Sequence, residues 1–167
     1  MRLDVGCGSG RTYPFAPAAE GPDVIYVDLE APARVPKGLS FVVTDAHFLP
    51  FREGCFREAY MRHVLEHLDE PWRALREVMR VLRPGGKLFI EVPSMFSSVL
   101  DLDPSHKWRF SPRRLRELLS SFSDVAVWGE GLSPKLFPIR PIRLLLARLL
   151  PRIPWFLCEY LVCSCVR

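Results

Sequence analysis

Three glycines alternate in Leu3-Asp4-Val5-Gly6-Cys7-Gly8-Ser9-Gly10, directly after a short apolar run. Side chains would keep a nucleotide cofactor off the backbone, and glycines let it approach. The dinucleotide fingerprint requires a further glycine at position 11. That residue is Arg11, which argues against a hydride-transfer cofactor. Asp28 ends the run Val24-Ile25-Tyr26-Val27-Asp28. An acid about 20 residues beyond such a loop can accept both ribose hydroxyl protons. Asp45 follows Phe41-Val42-Val43-Thr44 and can accept from an adenine amino group. With Asp4, these acids stand at the ends of three successive apolar runs. A turn aspartate or a helix cap does not explain that three times over.

A second set of residues points elsewhere. His63-Val64-Leu65-Glu66-His67 spells H-x-x-E-H. On a helix, residues four apart share a face, so two imidazoles there can hold zinc with Glu66 as general base, as in a peptidase. That reading leaves Asp28, Asp45 and the glycine loop without a role, so no metal ligands are assigned. His63 and His106 are candidates for proton transfer instead, because imidazole titrates near neutrality. A structural hydrogen bond accounts for each equally simply. Arg113, Arg114, Arg116, Arg140, Arg143, Arg148 and Arg152 could contact phosphates.

These residues need a frame. Short β-branched runs alternate with turn residues and helical patterns, which predicts a largely parallel sheet with its ligand beyond the carboxyl ends of the strands. Strands are expected at Arg2–Val5, Val24–Asp28, Ser40–Thr44, Glu58–Met61, Lys87–Val92, Val125–Gly129 and Tyr160–Val166. A helix is expected over Glu70–Leu82, from the spacing of Trp72, Leu75, Val78, Met79 and Leu82, with Arg83-Pro84-Gly85-Gly86 ending it. Ser111 and Pro112 open a second helix to Ser120, and a third covers Ile139–Leu150. Pro14, Pro17 and Pro22 exclude a long helix between Arg11 and Asp23. The expected fold is a single α/β domain over residues 1–167, doubly wound on a mostly parallel seven-stranded sheet. Residues 1–100 would hold the cofactor and 101–167 the acceptor, with a reduced set of N-terminal helices.

Composition narrows the setting. There are 167 residues, 49% apolar and 25% charged, as in a soluble globular domain. The N-terminus reads as part of the fold and not as a secretory signal. Leu144–Leu157 is interrupted by arginines and prolines and is too short to span a bilayer, leaving peripheral lipid contact as an option. Five cysteines without disulfide or zinc-cluster spacing suit reduced thiols in the cytoplasm. The chain has no Asn or Gln and 16 Pro, which points to a thermophilic source. Residues 1–100 carry a net charge of −1 and residues 101–167 a net of +5, which hints at an anionic partner for the C-terminal part.

Taken in order, the motifs of residues 1 to about 124 resemble the class I methyltransferases that use S-adenosylmethionine, in the small-molecule, type 11-like branch. Leu3–Gly10 is similar to that family's first motif, and Val24–Glu30 carries its ribose acid, with Leu29 packing on adenine. Thr44–Phe51 holds the adenine-contacting Asp45-Ala46, and His63–Ser94 is similar to the segment after the fourth strand. His106–Ser111 resembles that branch's His…Phe-Ser element.

The resemblance implies a Rossmann-like methyltransferase fold and S-adenosylmethionine as cofactor. It implies in-line attack of an acceptor on the methyl carbon. The implied binding residues are Asp4, Gly6, Cys7, Gly8, Gly10, Asp28, Leu29, Asp45, Ala46, Met61 and Arg62. Asp4 would sit near the cofactor's amino group, and Met61 to His63 beside its methionyl end. The nearest likeness is to methyltransferase-like proteins of surface-polysaccharide and lipid-linked sugar pathways, so the expected acceptor is a small molecule, a sugar or a lipid-linked compound. Pro138–Leu157 could then form an apolar, cationic rim for a lipid-linked or phosphorylated acceptor, or a homodimer interface. An RNA methyltransferase is disfavoured: the fourth strand is followed by Met61-Arg62-His63-Val64, not by the Asn/Asp-Pro-Pro-aromatic motif of nucleic-acid amino methylation. A non-catalytic, cofactor- or partner-binding relative is the remaining alternative. The segment between Gly10 and Asp23 is shorter than the family pattern, and no helical extension precedes Arg2, so part of the usual cofactor cover is expected to be missing.

Overall fold

A computed structural model describes residues 1–12, 14–34, 37–101, 103–149 and 153–167. Seven strands form one sheet: β1 (Arg2–Val5), β2 (Val24–Asp28), β3 (Ser40–Val43), β4 (Phe56–Arg62), β5 (Leu82–Pro93), β6 (Ser123–Leu132) and β7 (Cys158–Val166). Their order is β3-β2-β1-β4-β5-β7-β6. The strands β1 to β5 pair in parallel, whereas β7 is antiparallel to both β5 and β6. The expected α/β, mostly parallel sheet is therefore present, with one reversed strand inside it.

Three α-helices are described: α1 (Pro71–Val81), α2 (Pro112–Leu118) and α3 (Arg140–Leu149). Among the described residues, the connections leading to β2, β3 and β4 contain no helix. Three prolines account for this in residues 11–23, since each lacks the donor a helix interior requires.

Strand alternation splits the core between the two faces of the sheet. Leu3, Val5, Val27, Ala59, Met61, Leu88 and Ile90 join the large cluster, which α1 completes with Leu75, Val78 and Val81, α2 with Leu115, and the residue after α2 with Leu119. On the other face, Val24 and Tyr26 pack with Cys7 and Ala19 in a small cluster rimmed by Phe15, Phe41 and Tyr60. The helix-poor connections thus leave one face of the sheet thinly covered.

Two expectations are corrected in detail. The buried stripe of α1 is Pro71, Ala74, Leu75, Val78 and Val81, so Trp72 lies on its edge, 43% exposed, against Trp108. β5 begins at Leu82, which pairs with Phe56, and Pro84-Gly85-Gly86 forms a bulge inside the strand. Residues 63–69 form bends and turns ahead of α1, without the helix that the zinc-peptidase alternative would need. His63 has a φ of 56°, a left-handed conformation that blocks helix propagation there.

Candidate functional site

Strand order reverses between β1 and β4, and open α/β sheets bind ligands beyond the carboxyl ends at that point. The glycine loop leaves β1 there. Gly6 N and Cys7 N donate to Val27 O, at 2.8 and 3.3 Å, which holds the loop over the end of β2. Gly8 N donates to Asp28 Oδ2 at 2.9 Å, and Glu30 N donates to Asp28 Oδ1 at 3.1 Å. Each carboxylate oxygen keeps lone-pair capacity on a half-buried side chain, as a ribose acceptor requires. Glu30 braces the far side of the loop by accepting from Ser9 Oγ at 2.7 Å and Thr12 Oγ1 at 2.5 Å.

The residues after β2 and β3 present apolar surface at the same edge. Leu29 is 71% exposed and Phe48 59% exposed, beside Asp28 and Asp45 respectively. A planar apolar ligand would cover such side chains. Asp45 Oδ1 accepts from His47 N at 2.8 Å and lies 2.6 Å from His47 Nδ1. Burial opposes ionisation of Asp45, but the hydrogen bonds and charge of His47 hold its carboxyl below the usual range. Ala46 packs against the large cluster beneath.

Asp4 is placed differently from these acids. It points away from Leu3 and Val5, is 1% exposed, and accepts from Ala18 N at 2.6 Å and Ala19 N at 2.9 Å. Burial raises its carboxyl to about 6 in spite of those bonds. It therefore anchors the proline-rich segment beneath the glycine loop. Arg62 ties down the same segment through Ala16 O at 2.9 Å, and Met61 is buried in the large cluster. The Cys7 thiol is pushed up to about 12, chiefly by burial and then by Asp4 and Asp28, so it is neutral and not a nucleophile.

His63, immediately after β4, sits between two carboxylates. Its Nδ1 lies 3.3 Å from Glu66 Oε1 and its Nε2 3.1 Å from Glu91 Oε1. Burial alone would lower its basicity, but the bonds and charges of Glu66 and Glu91 outweigh this and raise the ring to about 9. It carries its proton at neutral pH. Glu91 was not foreseen, although a lone carboxylate inside the apolar run Leu88–Val92 is its signature. Tyr160 of β7 packs edge-on against the same ring at 5.2 Å.

The helical zinc-peptidase pair is not built. Without a helix, His63 and His67 share no helical face, and the His67 ring lies 4.7 Å from His106 instead. His106 itself is held in a buried position, its side chain 8% exposed. The basic residues are dispersed: Arg113 pairs with Glu117, Arg114 lies over Trp108, and Arg143 donates to Phe137 O. Arg152 and the side chain of Arg148 lie outside the described residues. Arg113 and Arg116 line an open groove of about 1250 Å³ that begins at Met95, just past β5, and runs along Trp128, Gly129 and Trp155.

The family model described as a methyltransferase domain matches residues 3–90, which contain the glycine loop, both edge acids and His63. The chain belongs to this methyltransferase domain family. Over 94 residues it is 36% identical to a demethylmenaquinone methyltransferase of Renibacterium salmoninarum, covering 53% of this chain and 39% of that protein. It is 32% identical over 109 residues to a 27-O-demethylrifamycin SV methyltransferase of Amycolatopsis mediterranei, covering 55% of this chain and 39% of the relative. The matched part thus spans well under half the length of these curated relatives. A solved S-adenosylmethionine-dependent methyltransferase from Archaeoglobus fulgidus superposes with a TM-score of 0.68 at 21% identity, covering 99% of this chain and 85% of that one. That likeness establishes the Rossmann-like fold. S-adenosylmethionine is the cofactor for which that solved structure is named. The residues present fit it: a loop of alternating glycines bonded to Asp28, and uncovered Leu29 beside the carboxylate.

Proposed function

We propose that this chain catalyses methyl transfer from S-adenosylmethionine to a small-molecule acceptor. The observation that carries the reading is Asp28, whose carboxylate is bonded at once to the glycine loop through Gly8 N and to Glu30 N. When bound, S-adenosylmethionine supplies an electrophilic methyl group on a sulfonium. The chain's own residues bind and orient. Gly6 and Gly8 let Val64 and Pro14 pack close against the loop, Gly10 leaves room beside its backbone for the cofactor, Asp28 accepts from the ribose, Leu29 and Ala46 flank the adenine, and Asp45 accepts from its amino group. Positioning of this kind can supply most of the acceleration in a displacement reaction.

His63 serves as a fixed positive charge and hydrogen-bond donor after β4, in place of a base. The groove from Met95 to Trp155, with Arg113 and Arg116 on its rim, suits an apolar acceptor that bears negative charge, such as a lipid-linked one. The exposed Ile142, Leu144 and Leu145 of α3, close in sequence to Arg140 and Arg143, add a surface of the same kind. Small-molecule acceptors named for the menaquinone and rifamycin relatives support the general class. All five cysteines are free thiols, in keeping with a reduced, cytoplasmic setting.

Calorimetry with S-adenosylmethionine tests the reading. The parent chain should bind one equivalent, and Asp28→Ala should weaken binding by roughly 10- to 100-fold, the loss of one or two charge-assisted hydrogen bonds. Equal affinity in the two proteins, or no binding by the parent, sinks the assignment.

A further inference from the structure

Glu66 and His106 lie outside the cofactor edge, and each buries a polar atom that has no hydrogen-bond partner, Oε2 of Glu66 and Nδ1 of His106. The Glu66 side chain is completely buried. Groups of this kind are costly to bury unpaired, and a bound ion is one of the accounts such orphans in a native fold call for. They are also not alone. One donor atom from each of Glu66, His67 and His106 lies within 4.8 Å of the other two.

The cluster is held by main chain. Lys107 N and Trp108 N both donate to Glu66 O, at 2.7 and 3.2 Å, and Trp108 Nε1 donates to Leu68 O at 2.7 Å. These bonds pin the turn after β4 to the segment before α2, so donors about 40 residues apart meet without a helix. The His67 ring is oriented by Ser105 Oγ, 2.8 Å from Nδ1, and Ser105 Oγ donates in turn to Asp103 Oδ1 at 2.5 Å. A hydrogen-bonded second layer behind an imidazole is what metal ligands ordinarily have.

We propose that Glu66, His67 and His106 bind a divalent transition-metal cation, zinc being the ion that best suits the donor set. Two imidazoles and one carboxylate match borderline cations, whereas magnesium prefers oxygen donors throughout. Zinc bonds of about 2.0–2.2 Å place its ligands roughly 3–4 Å apart, so small side-chain rotations close the site. Three protein ligands leave a coordination position for an oxygen ligand, the arrangement of reactive zinc sites and not of purely structural ones. The ligand set differs from the peptidase pattern, because His63 is engaged by Glu66 and Glu91 and the second imidazole comes from the distant His106.

The site adjoins the proposed methyl-transfer site through Glu66, which also contacts His63, so its test reads the cation itself. Full-length chain stripped with a chelator is titrated with zinc, magnesium and cobalt(II). One equivalent of zinc should bind, and the cobalt form should show visible bands of nitrogen and oxygen ligation without thiolate charge transfer. Glu66→Gln and His106→Ala should each weaken zinc by about 100-fold or more, while a Cys163→Ser/Cys165→Ser double variant binds as the parent does. Zinc should raise the melting temperature of the parent and not of Glu66→Gln. Without metal that variant should keep the parent's far-ultraviolet circular dichroism and a cooperative melt, which shows that it folds. The proposal is overturned by absence of stoichiometric zinc binding, by undiminished binding in Glu66→Gln and His106→Ala, by a thiolate spectrum, or by saturation with magnesium but not zinc. Calorimetry with S-adenosylmethionine on the same samples keeps failure of the metal site distinct from failure of the cofactor site.

Discussion

Gly8 and Gly10 offer a matched pair of perturbations. Both have left-handed backbones, with φ of +81° and +72°. Alanine at either position takes on the cost of that conformation, about 1–2 kcal/mol. The surroundings differ. A Cβ on Gly10 would meet only the Ala33 Cβ, at 3.8 Å, whereas a Cβ on Gly8 would fall 2.0 Å from Pro14 O and 2.9 Å from its carbon. The Pro14 carbonyl would have to retreat by about 1 Å merely to reach the shortest tolerable contact. It cannot move freely, since Ala16 N donates to Cys7 O at 2.8 Å and Ala18 and Ala19 are held by Asp4. Forced overpacking of this sort adds about 1–3 kcal/mol. Gly10→Ala should therefore lose about 1–2 kcal/mol in urea denaturation, and Gly8→Ala about 2–5 kcal/mol. Equal losses for the two variants would refute the packing of the proline-rich segment onto the glycine loop.

Two further outcomes follow from buried groups. Asp4 has its carboxyl raised from the ordinary 3.8 to about 6, so between those values the folded chain holds a proton that the unfolded chain has released. Its contribution is fully present below pH 3.8, falls as pH rises, and is lost above pH 6. The stability difference between the parent and Asp4→Asn should shift by about 2–3 kcal/mol between pH 3.5 and pH 7, in favour of Asn, as read by urea denaturation at both values; a flat difference contradicts the burial argument. Arg167 donates to the carbonyls of Arg80 and Leu82 around the end of α1, the first of which also accepts from Gly54 N at 3.0 Å, and pairs with Glu53 at 2.6 Å. Arg167→Ala should cost about 1–3 kcal/mol in the same assay, and an unchanged midpoint would show that solvent satisfies those carbonyls equally well.

The parts of the fold that were legible in the sequence depend on short-range chemistry. Strand ends at Asp28 and Val5, the Ser111-Pro112 helix start and the glycine turn are set by local backbone rules, and they lie where the residues indicate. Ser111 Oγ accepts from Arg114 N, as its position predicts. What stayed hidden depends on long-range partners. Nothing near His63 signals the left-handed backbone that turns an apparent helical H-x-x-E-H into a bend. Its partner Glu91 comes from the adjacent strand, across a pairing in which Arg62 faces Glu91. The rotation of α1 that leaves Trp72 on the rim follows from the presence of Trp108, which arrives 36 residues later and donates its indole N–H to Leu68 O. Asp4 reads as an edge acid by position, yet strand alternation turns it to the face that the proline-rich segment covers.

The reversed strand β7 has a consequence for how the protein is made. It lies between β5 and β6, although both precede it in the chain. Leu161, Cys163 and Cys165, all buried, fill the seam between them. During synthesis β6 therefore emerges with no neighbour to pair with, and its ladder must wait until Cys158–Val166 have been made and threaded into the gap. Until then β5 and β6 each present an open edge, which is a template for pairing with other chains. A nascent chain of this protein passes through an aggregation-prone stage whose length is set by the roughly 35 residues between β6 and the end of β7, and a nuclease- or protease-shortened product that stops before Cys158 inherits both edges permanently.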